Sequence, residues 1–301
     1  KSCVTIGGHQ TVILSAPKES SAMKNSERGI GHSVHKFTFS QVFGPETTQS
    51  EFFEGSMKEI VRTYVNGVNG LVFTYGVTNA GKTFTVQGTS KDFGILPRSL
   101  DVIFNHIRGR QYLKMDFKPY LSNDVKKLEE AQVKQEEAIK TAILSSLKEV
   151  SYQILPCYSM KLLKNFLSNR LSLKSNNFVP LDIYRTNIHQ RTQASVWVSF
   201  CEIYNEYVYD LLNVLSTSKT QKRRVLRICE DQGGNSYIKD LKWINIQSTE
   251  EAWKILKIGN KNRSFACTRM NEQSSRSHSI FSIRLLRLTD EQHPCVLGVS
   301  E

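Results

Sequence analysis

The chain has 301 residues, of which 39% are hydrophobic and 23% are charged. That composition is typical of an ordinary globular protein and excludes disorder throughout the chain. The formal net charge of +12 indicates an acidic partner, either nucleic acid or an acidic protein surface, and charge alone does not choose between them.

Two further classes of protein are disfavoured by the sequence. No apolar run approaches the ~18 residues of a membrane span, and the first residues carry no basic and then apolar leader. The six cysteines include no Cys-x-x-Cys pair and no Cys/His cluster, which argues against a zinc site and a disulfide framework. We therefore expect no membrane partner, and a location in the cytoplasm or in the nucleus of a dividing cell.

The N-terminal part of the chain carries strand, loop and helix signals in turn. Val4 to Leu14 is strand material, and residues 16–31 are polar and typical of an exposed loop. Another strand is predicted from His35, with Phe37 and Phe39 on one face, until Gly44-Pro45 ends it. Thr48-x-x-Glu51 is a capping box, and apolar residues follow it at helical spacing until Gly67. We predict one helix over this stretch.

A phosphate-binding pattern comes next. The apolar stretch Gly70 to Tyr75 predicts a short buried strand, the following eight residues read G-x-x-x-x-G-K-[ST], and a helix can begin at Lys82. The loop residues are Gly76, Val77, Thr78, Asn79, Ala80, Gly81, Lys82 and Thr83. Backbone N–H groups would face the phosphates, Lys82 would reach the β/γ-phosphates, and the Thr83 hydroxyl would bind Mg²⁺. The alternative is a glycine-rich turn with a stray lysine.

Two helices and a long insertion are expected after the loop. The first helix reaches Gly88, and Leu96-Pro97 begins the second. From 109 to 194 the alternating apolar strands of the flanking sequence are missing, and Lys/Glu-rich helical patterning covers 125–150. We interpret residues 109–194 as a long surface-loop insertion, mostly solvated, whose charge runs are typical of an exposed helix.

Strand signals resume beyond the insertion. Ser195 to Tyr204 predicts a strong strand, Asp231 to Asn235 a hairpin turn, and Ser248-x-x-Glu251 the start of another helix. That helix leads into a polar segment, and the strand from Ile280 to Leu288 follows it.

The polar segment Asn271 to His278 contains three serines, an arginine and a histidine. Hydroxyls of Ser274 and Ser275 can hold an attacking water or a Mg²⁺-bound water, and Asn271 can donate to phosphate oxygens. Arg276 can contact phosphate, or it can pair with a carboxylate that moves when phosphate leaves. A solvated serine-rich turn is the alternative.

Five stretches occur in a characteristic order: Phe-x-Phe-x-x-Val-Phe-x-Pro, Thr-Tyr-Gly-x-Thr-x-x-Gly-Lys-Thr, Gly-Ile-Leu-Pro-Arg, Ser-Phe-x-Glu-Ile-Tyr-Asn-Glu and Asn-x-x-Ser-Ser-Arg-Ser-His. Together they resemble the kinesin motor domain over nearly the whole chain, least in the insertion. The residues of the glycine loop, residues 88–92 and the long insertion are similar to those of the mitotic kinesin-like proteins of the cytokinetic central spindle.

The resemblance implies a fold and a domain organisation. The expected fold class is α/β, a three-layer P-loop NTPase of kinesin type with a central, mostly parallel sheet flanked by helices and truncated at both ends. Residues 1–301 would form one partial motor domain, with the 109–194 insertion inside it.

The resemblance also implies the functional residues. Gly76 to Thr83 would bind the phosphates of ATP and Mg²⁺, and Phe84 would flank the adenine. The first switch, which senses the γ-phosphate, would consist of Asn271, Ser274, Ser275 and Arg276, and Ser275 would join Thr83 as a magnesium ligand. The residues where kinesins present a loop to tubulin are Lys222 to Arg227, Lys239 and Lys242. A solvated basic hairpin explains the charges of these residues equally well.

Two stretches depart from the family pattern. The first strand of the family, whose Arg and Pro pack on adenine, is missing from the N-terminus. The second switch of the family reads Asp-Leu-Ala-Gly-Ser-Glu, whereas Val296 to Glu301 reads Val-Leu-Gly-Val-Ser-Glu. Aligned without a gap, the Asp becomes Val296, the sensing Gly becomes Val299, and Glu301 is left as the salt-bridge partner for Arg276. An unrelated end of the sequence is the alternative.

These implications lead to a main hypothesis and two alternatives. The main one is an ATP-dependent microtubule motor acting in mitosis or cytokinesis, at the cytoskeleton and the spindle midzone, with a coiled coil making a homodimer in the full-length protein. The first alternative is a nucleotide-binding but non-hydrolysing microtubule-binding protein, suggested by the missing Asp and Gly. The second, a nucleic-acid-stimulated P-loop ATPase, fits the charge but not the kinesin-like stretches, so we expect tubulin rather than nucleic acid as the partner.

Overall fold

The N-terminal residues form a small antiparallel sheet with two short helices. The computed structural model describes residues 3–29, 31–89, 91–147, 192–213, 223–269 and 277–301. Contacts divide the chain into residues 1–56 and residues 57–301. The elements of the first unit are β1 (Val4–Ile6), β2 (Thr11–Ser15), α1 (Ser21–Glu27), β3 (Val34–Thr38) and α2 (Gln49–Ser56), with the strands in the order β1-β2-β3.

Local signals account for most of this first unit. The predicted strands are confirmed, but β3 ends at Thr38 rather than at Gly44-Pro45. Thr48 and Glu51 form the expected capping box, since the Glu51 N–H donates to Thr48 Oγ1 at 3.2 Å and the Thr48 N–H donates to Glu51 Oε2 at 2.9 Å. Residues 16–31, expected to be a loop, contain the helix α1 instead. Ser20 caps that helix by accepting the Met23 N–H at 3.2 Å, a signal that the polar composition concealed.

The second unit begins with a helix. The single helix that the sequence predicts up to Gly67 is interrupted at Met57, so the structure has two helices there. The helices of the second unit are α3 (Lys58–Val65), α4 (Lys82–Gln87), α5 (Ile95–His106), α6 (Glu130–Ser145) and α7 (Thr249–Arg269). Its strands are β4 (Phe117–Tyr120), β5 (Asp124–Lys127), β6 (Thr192–Tyr204), β7 (Tyr207–Asp210), β8 (Val225–Leu226), β9 (Ile228–Glu230), β10 (Ser236–Ile238), β11 (Ile244–Ile246), β12 (Ser277–Thr289) and β13 (Val296–Ser300).

The largest sheet is organised around β6. Its order is β13-β12-β6-β7-β8, and β11 pairs with the first half of β6. The β6–β12 ladder runs without a break from Ser277 opposite Tyr204 to Thr289 opposite Thr192. Each pairing between the strands of this sheet that the structure describes is antiparallel, so the predicted mostly parallel sheet is not confirmed there.

Alternation along β6 sends side chains to two covered faces. On one face, Phe200 packs so closely on α7 that a Cβ at Gly259 would lie 2.1 Å from the ring. Only glycine fits this helix position without moving the aromatic side chain. On the other face, an apolar cluster surrounds Trp197; its buried members are Tyr112, Met115, Phe117, Trp197, Trp243, Leu286 and Leu288.

The first part of the predicted insertion contributes to this core. Tyr112, Met115 and Phe117 lie in the cluster around Trp197, and α6 is tied to α7 by an ion pair between Lys140 Nζ and Glu251 Oε2 at 2.8 Å. The expectation of a mostly solvated segment therefore does not hold from Tyr112 to Phe117, whereas α6 is exposed as expected, with Ile143 as its buried residue and an exposed i,i+4 pair between Glu130 and Lys134. The apolar residues of the segment lack a strand alternation because they are spread over a loop, a hairpin and one helix.

Candidate functional site

The stretch before the glycine loop is not the buried strand that its composition predicts. Gly70 to Tyr75 belongs to no strand, and Leu71, Phe73 and Tyr75 are 85%, 79% and 96% exposed. The prediction was wrong because β-branched and aromatic residues form a strand only where a neighbouring strand pairs with them. Gly70 does bond to the end of the chain, since its N–H donates to the Glu301 carbonyl at 2.9 Å.

The glycine loop itself has the backbone that its pattern predicts. Gly76 and Gly81 have φ angles of +151° and +85°, which L side chains rarely adopt, and Asn79 is left-handed with φ +67°. The residues from Gly76 to Gly81 are exposed, and α4 begins at Lys82 directly after them. The loop and the helix start are thus confirmed, and the backbone of the loop is open to a ligand.

Lys82 turns its ammonium group back into the loop. Lys82 Nζ donates to the carbonyls of Gly76 and Val77, each at 2.7 Å. A cation, glycine backbone and the Thr83 hydroxyl are therefore gathered in one exposed turn. This donor set fits a polyphosphate, and the Thr83 oxygen is the atom of the loop that suits Mg²⁺. Phe84, the residue expected beside adenine, is 51% exposed.

Helix α4 is anchored at its far end by a tight glycine turn. Gly88 has φ +73°, and a Cβ there would lie 2.2 Å from the Gly94 nitrogen. Arg98 closes the turn by donating from Nε to the Phe93 carbonyl at 2.8 Å and by pairing with Asp92 at 3.0 Å. The loop lysine therefore sits on a short helix whose end is held by the start of α5.

Helix α4 is also hydrogen-bonded to α7, the helix that precedes the polar segment Asn271 to His278 in the sequence. Gln87 and Asn260 exchange two side-chain amide hydrogen bonds, with N···O distances of 3.3 and 3.0 Å. Ser248 and Glu251 form the predicted cap of α7, since the Glu251 N–H donates to Ser248 Oγ at 3.2 Å. Four predicted site residues, Asn271, Ser274, Ser275 and Arg276, lie outside the described residues.

The strand that follows this motif begins at a buried charge cluster. Ser277 Oγ donates to Glu202 Oε1 at 2.5 Å, and Arg263 Nε donates to Ser277 Oγ at 3.2 Å. Arg223 Nη1 pairs with Glu202 Oε2 at 2.8 Å. Glu202 is 1% exposed, so its charge is compensated inside the protein rather than by water.

The last residues of the chain form a strand rather than a phosphate-sensing loop. β13 pairs with β12, and Ser300 is fully buried. Glu301, expected to face Arg276, instead accepts from Arg284 Nε at 2.7 Å, while the Arg284 guanidinium lies 4.3 Å from the Trp243 ring. The structure therefore does not support the gapless alignment of Val296 to Glu301 with the second switch, in which three of the six aligned residues are identical, because β13 pairs with β12 over this stretch.

The kinesin motor domain family matches residues 5–296. The chain belongs to the kinesin motor-domain family.

Individual kinesins match along nearly the whole chain. Kinesin-like protein KIF20A of Mus musculus is 47% identical over 310 residues, which cover 96% of this chain and 35% of the relative. Kinesin-like protein KIF20B of Homo sapiens is 44% identical over 301 residues, covering 99% of this chain and 16% of the relative. The chain thus spans about a third, or less, of the length of these kinesins.

A solved structure supports the kinesin fold. The structure described as "kinesin 6" superposes with a TM-score of 0.66 and 24% identity, covering 99% of this chain and 69% of that one. At this identity the comparison bears on the fold alone.

The basic residues expected to face tubulin are not equivalent. Arg223 is committed to Glu202, Arg224 pairs with Asp240 at 2.6 Å, and Lys242 donates to the Asn213 side chain. Arg227 and Lys239 are exposed, and the described residues include no acidic side chain paired with either. Lys222 lies outside the described residues.

Sequence analysis included Glu202 in one of the kinesin-like stretches but did not predict its contacts. The available signal was a charged residue in the middle of a strand whose neighbours are apolar, Ser-Phe-Cys-Glu-Ile-Tyr. Such a residue is almost never buried unless it is paired. The identities of its partners could not be read from the sequence, because Arg223 and Ser277 are 21 and 75 positions away.

Other kinds of site find no support in the described parts of the chain. No group of three or more His, Cys, Asp or Glu side chains there is placed to bind a metal ion. None of the described helices combines the length and the apolar character that crossing a bilayer demands.

Proposed function

We propose that this kinesin chain is the ATP-hydrolysing part of a microtubule motor that acts in mitosis or cytokinesis. The observation that carries the proposal is the glycine loop with Lys82 at the head of α4, in a chain of the kinesin family. The kinship with Kinesin-like proteins KIF20A and KIF20B supports the mitotic role and a location at the cytoskeleton and spindle midzone.

In this proposal the loop binds the phosphates of ATP. The Lys82 ammonium exchanges its bonds to the Gly76 and Val77 carbonyls for bonds to phosphate oxygens, so no buried charge has to be created. The Thr83 hydroxyl provides a ligand for Mg²⁺, which when bound neutralises charge on the phosphates. Phe84, half exposed on α4, flanks the adenine.

In the same proposal, the polar segment Asn271 to His278 supplies the groups for hydrolysis. We assign Ser274 and Ser275 to holding the attacking water, Ser275 also to the magnesium shell, Asn271 to phosphate oxygens, and Arg276 to sensing the γ-phosphate. What supports this assignment is the helix α7, bonded to α4 through Gln87 and Asn260 and leading into the motif.

The proposed partner is the microtubule, without nucleic acid or membrane. The exposed Arg227 and Lys239 and the net charge of +12 suit the acidic surface of tubulin, which would speed association in a salt-dependent way. We further propose that residues 109–194 are an insertion in this motor domain, and that the full-length protein is a homodimer through a coiled coil.

The alternative, a nucleotide-binding protein that does not hydrolyse ATP, loses its main argument. That argument was the absence of an Asp and a Gly from Val296 to Glu301. Since β13 occupies this stretch, the residues there carry no information about the second switch.

The decisive experiment measures ATP hydrolysis by the full-length protein with and without microtubules. We expect stimulation of at least ~10-fold by microtubules, and none in the Lys82→Ala variant, which loses the phosphate contact. Lys91→Ala serves as a control, because Lys91 is exposed close to the loop in sequence. Tight ATP binding with turnover no faster than in Lys82→Ala would establish the non-hydrolysing alternative. Greater stimulation by DNA or RNA than by microtubules would overturn the choice of partner.

A further inference from the structure

One buried carboxylate joins two regions that the proposed function uses separately. Glu202 lies in β6, and its side chain is 2% exposed. Its Oε1 accepts from Ser277, the first residue of β12, and its Oε2 accepts from Arg223, which precedes β8. Ser277 directly follows Arg276 of the proposed switch, and Arg223 belongs to the basic stretch proposed to face tubulin.

The hold on Ser277 is specific. Arg263 of α7 donates from Nε to Ser277 Oγ and from Nη2 to the Ser277 carbonyl, each at 3.2 Å, and its Nη1 reaches Ser279 Oγ at 3.2 Å. Arg263 Nε also lies 3.5 Å from Glu202 Oε1. The start of β12 is thus fixed by the Ser277 hydroxyl, which donates to the Glu202 carboxylate and accepts from the Arg263 guanidinium.

The contacts of Arg223 differ from those of Arg224, the next residue. The Arg223 guanidinium lies 4.3 Å from the Tyr209 ring, and its side chain is 20% exposed. Arg224, the next residue, has a 71% exposed side chain and pairs with Asp240 at the surface. The two arginines therefore have the same charge and adjacent positions, but only Arg223 reaches the interior.

The two halves of the cluster depend on each other because the carboxylate is shared and desolvated. The Arg223 guanidinium and the Ser277 hydroxyl each donate to one oxygen of Glu202, the Arg263 guanidinium lies within ion-pair distance of it, and charge-assisted hydrogen bonds are strong and directional. In a buried cluster, a change in the position of one cation alters the field that orients the other partners. A displacement of Arg223 would therefore change the hydrogen bond between Glu202 and Ser277.

We propose that Glu202 is a positioning residue that couples microtubule binding at the basic stretch to the hydrolysis of ATP. Arg223 shifts when the microtubule binds, and Glu202 transmits this shift to Ser277. Ser277 is the first residue of β12 and follows the proposed switch residues in the sequence, so its position affects theirs. The inference rests on the proposed motor function and adds a route between its two sites.

The test compares Arg223→Met with Arg224→Met in the full-length protein, by microtubule-stimulated ATP hydrolysis. We expect Arg223→Met to lower the stimulated kcat about 10-fold, within the usual range of coupling between sites, with the half-stimulating microtubule concentration changed by less than about 2-fold. Arg224→Met should raise that concentration and leave the stimulated kcat unchanged. Arg223→Lys, which keeps the charge, should recover part of the stimulated kcat.

A double-mutant cycle with Ser277→Ala tests the route itself. Since both side chains act through Glu202, the loss of stimulated kcat in the Arg223→Met/Ser277→Ala variant should be well short of the product of the single losses. Multiplicative losses, or equal behaviour of Arg223→Met and Arg224→Met, would overturn the inference while leaving the motor function intact. Absence of stimulation in the parent protein would overturn both. Thermal unfolding of each variant, with a Tm near that of the parent, excludes loss of folded protein as the cause.

Discussion

Gln87 and Asn260 join the helix of the glycine loop to α7 through a reciprocal pair of amide hydrogen bonds, 3.3 and 3.0 Å long. The partners are 173 positions apart in the chain. This pair is a direct bond between the element that carries Lys82 and the element that leads to Asn271.

Breaking this pair should loosen the nucleotide site. We expect Asn260→Ala to lower the free energy of unfolding by about 1 kcal/mol, as for a part-buried hydrogen-bonded side chain, and to weaken ATP binding several-fold. Urea unfolding and titration with a fluorescent ATP analogue measure the two effects. Gln87→Ala/Asn260→Ala should be no worse than either single variant, and Lys257→Ala, exposed on α7, should change neither quantity. Additive losses would show that the two amides act separately.

The turn after α4 should tolerate no side chain at Gly88. Its φ of +73° costs about 1–2 kcal/mol for an alanine, and the added Cβ would lie 2.2 Å from the Gly94 nitrogen. We expect Gly88→Ala to lower the free energy of unfolding by at least ~3 kcal/mol. Gly109→Ala is the matched control, because Gly109 has φ +76° and open space around it, so only the backbone term applies. Similar losses in the two variants would contradict the packing argument.

The stability of the fold should depend on the protonation of Asp210. Burial raises the pKa of this carboxyl from 3.8 to about 6, and among the described residues Asp210 Oδ2 has no hydrogen-bond partner. Between about pH 4 and 6 the folded chain holds a proton that the unfolded chain has lost, so this group makes stability fall as pH rises through that range.

Asp210→Asn should remove that dependence. The amide oxygen can still accept the Leu212 N–H, which lies 2.7 Å from the Asp210 oxygen. We expect the variant to be more stable than the parent by about 1–3 kcal/mol at pH 7, with no difference near pH 4, in urea unfolding at a series of pH values. Asp240→Asn, at an exposed pair, should change stability by less than about 1 kcal/mol. A destabilised Asp210→Asn at pH 7 would mean that Arg223 and Lys242 hold the carboxylate charged.

Arg227 and Lys239, the exposed basic residues of the proposed tubulin-facing stretch that have no acidic partner among the described residues, should contribute to association. We expect Arg227→Ala/Lys239→Ala to weaken microtubule binding several-fold at low salt, and to lose this effect as salt screens the charges. Co-sedimentation at a series of salt concentrations measures it. Lys24→Ala, exposed on α1, is the control. Equal binding by the double variant and the parent at low salt would remove this stretch from the proposed interface.

The parts of the fold that sequence predicts correctly are those fixed by local chemistry. The capping box at Thr48, the helix cap at Ser248, the glycine loop and the turn at Asp231 all depend on residues within a few positions of each other. These signals, with the five kinesin-like stretches, were sufficient for the family.

The parts that sequence missed depend on distant partners. Gly70 to Tyr75 has strand composition but no paired strand, Val296 to Ser300 is a strand because β12 lies beside it, and Tyr112 is buried because Trp197 faces it. The contacts of Glu202 are equally long-range. The mutual geometry of Lys82 and Ser275 stays a prediction, because Ser275 lies outside the described residues.

The solvent-facing side chains of Leu71, Phe73 and Tyr75 carry a practical consequence for handling the polypeptide. An uncharged stretch rich in β-formers and open to water favours self-association between molecules. A preparation of these 301 residues should therefore form concentration-dependent oligomers, and detergent or a charged substitution at Phe73 should disperse them.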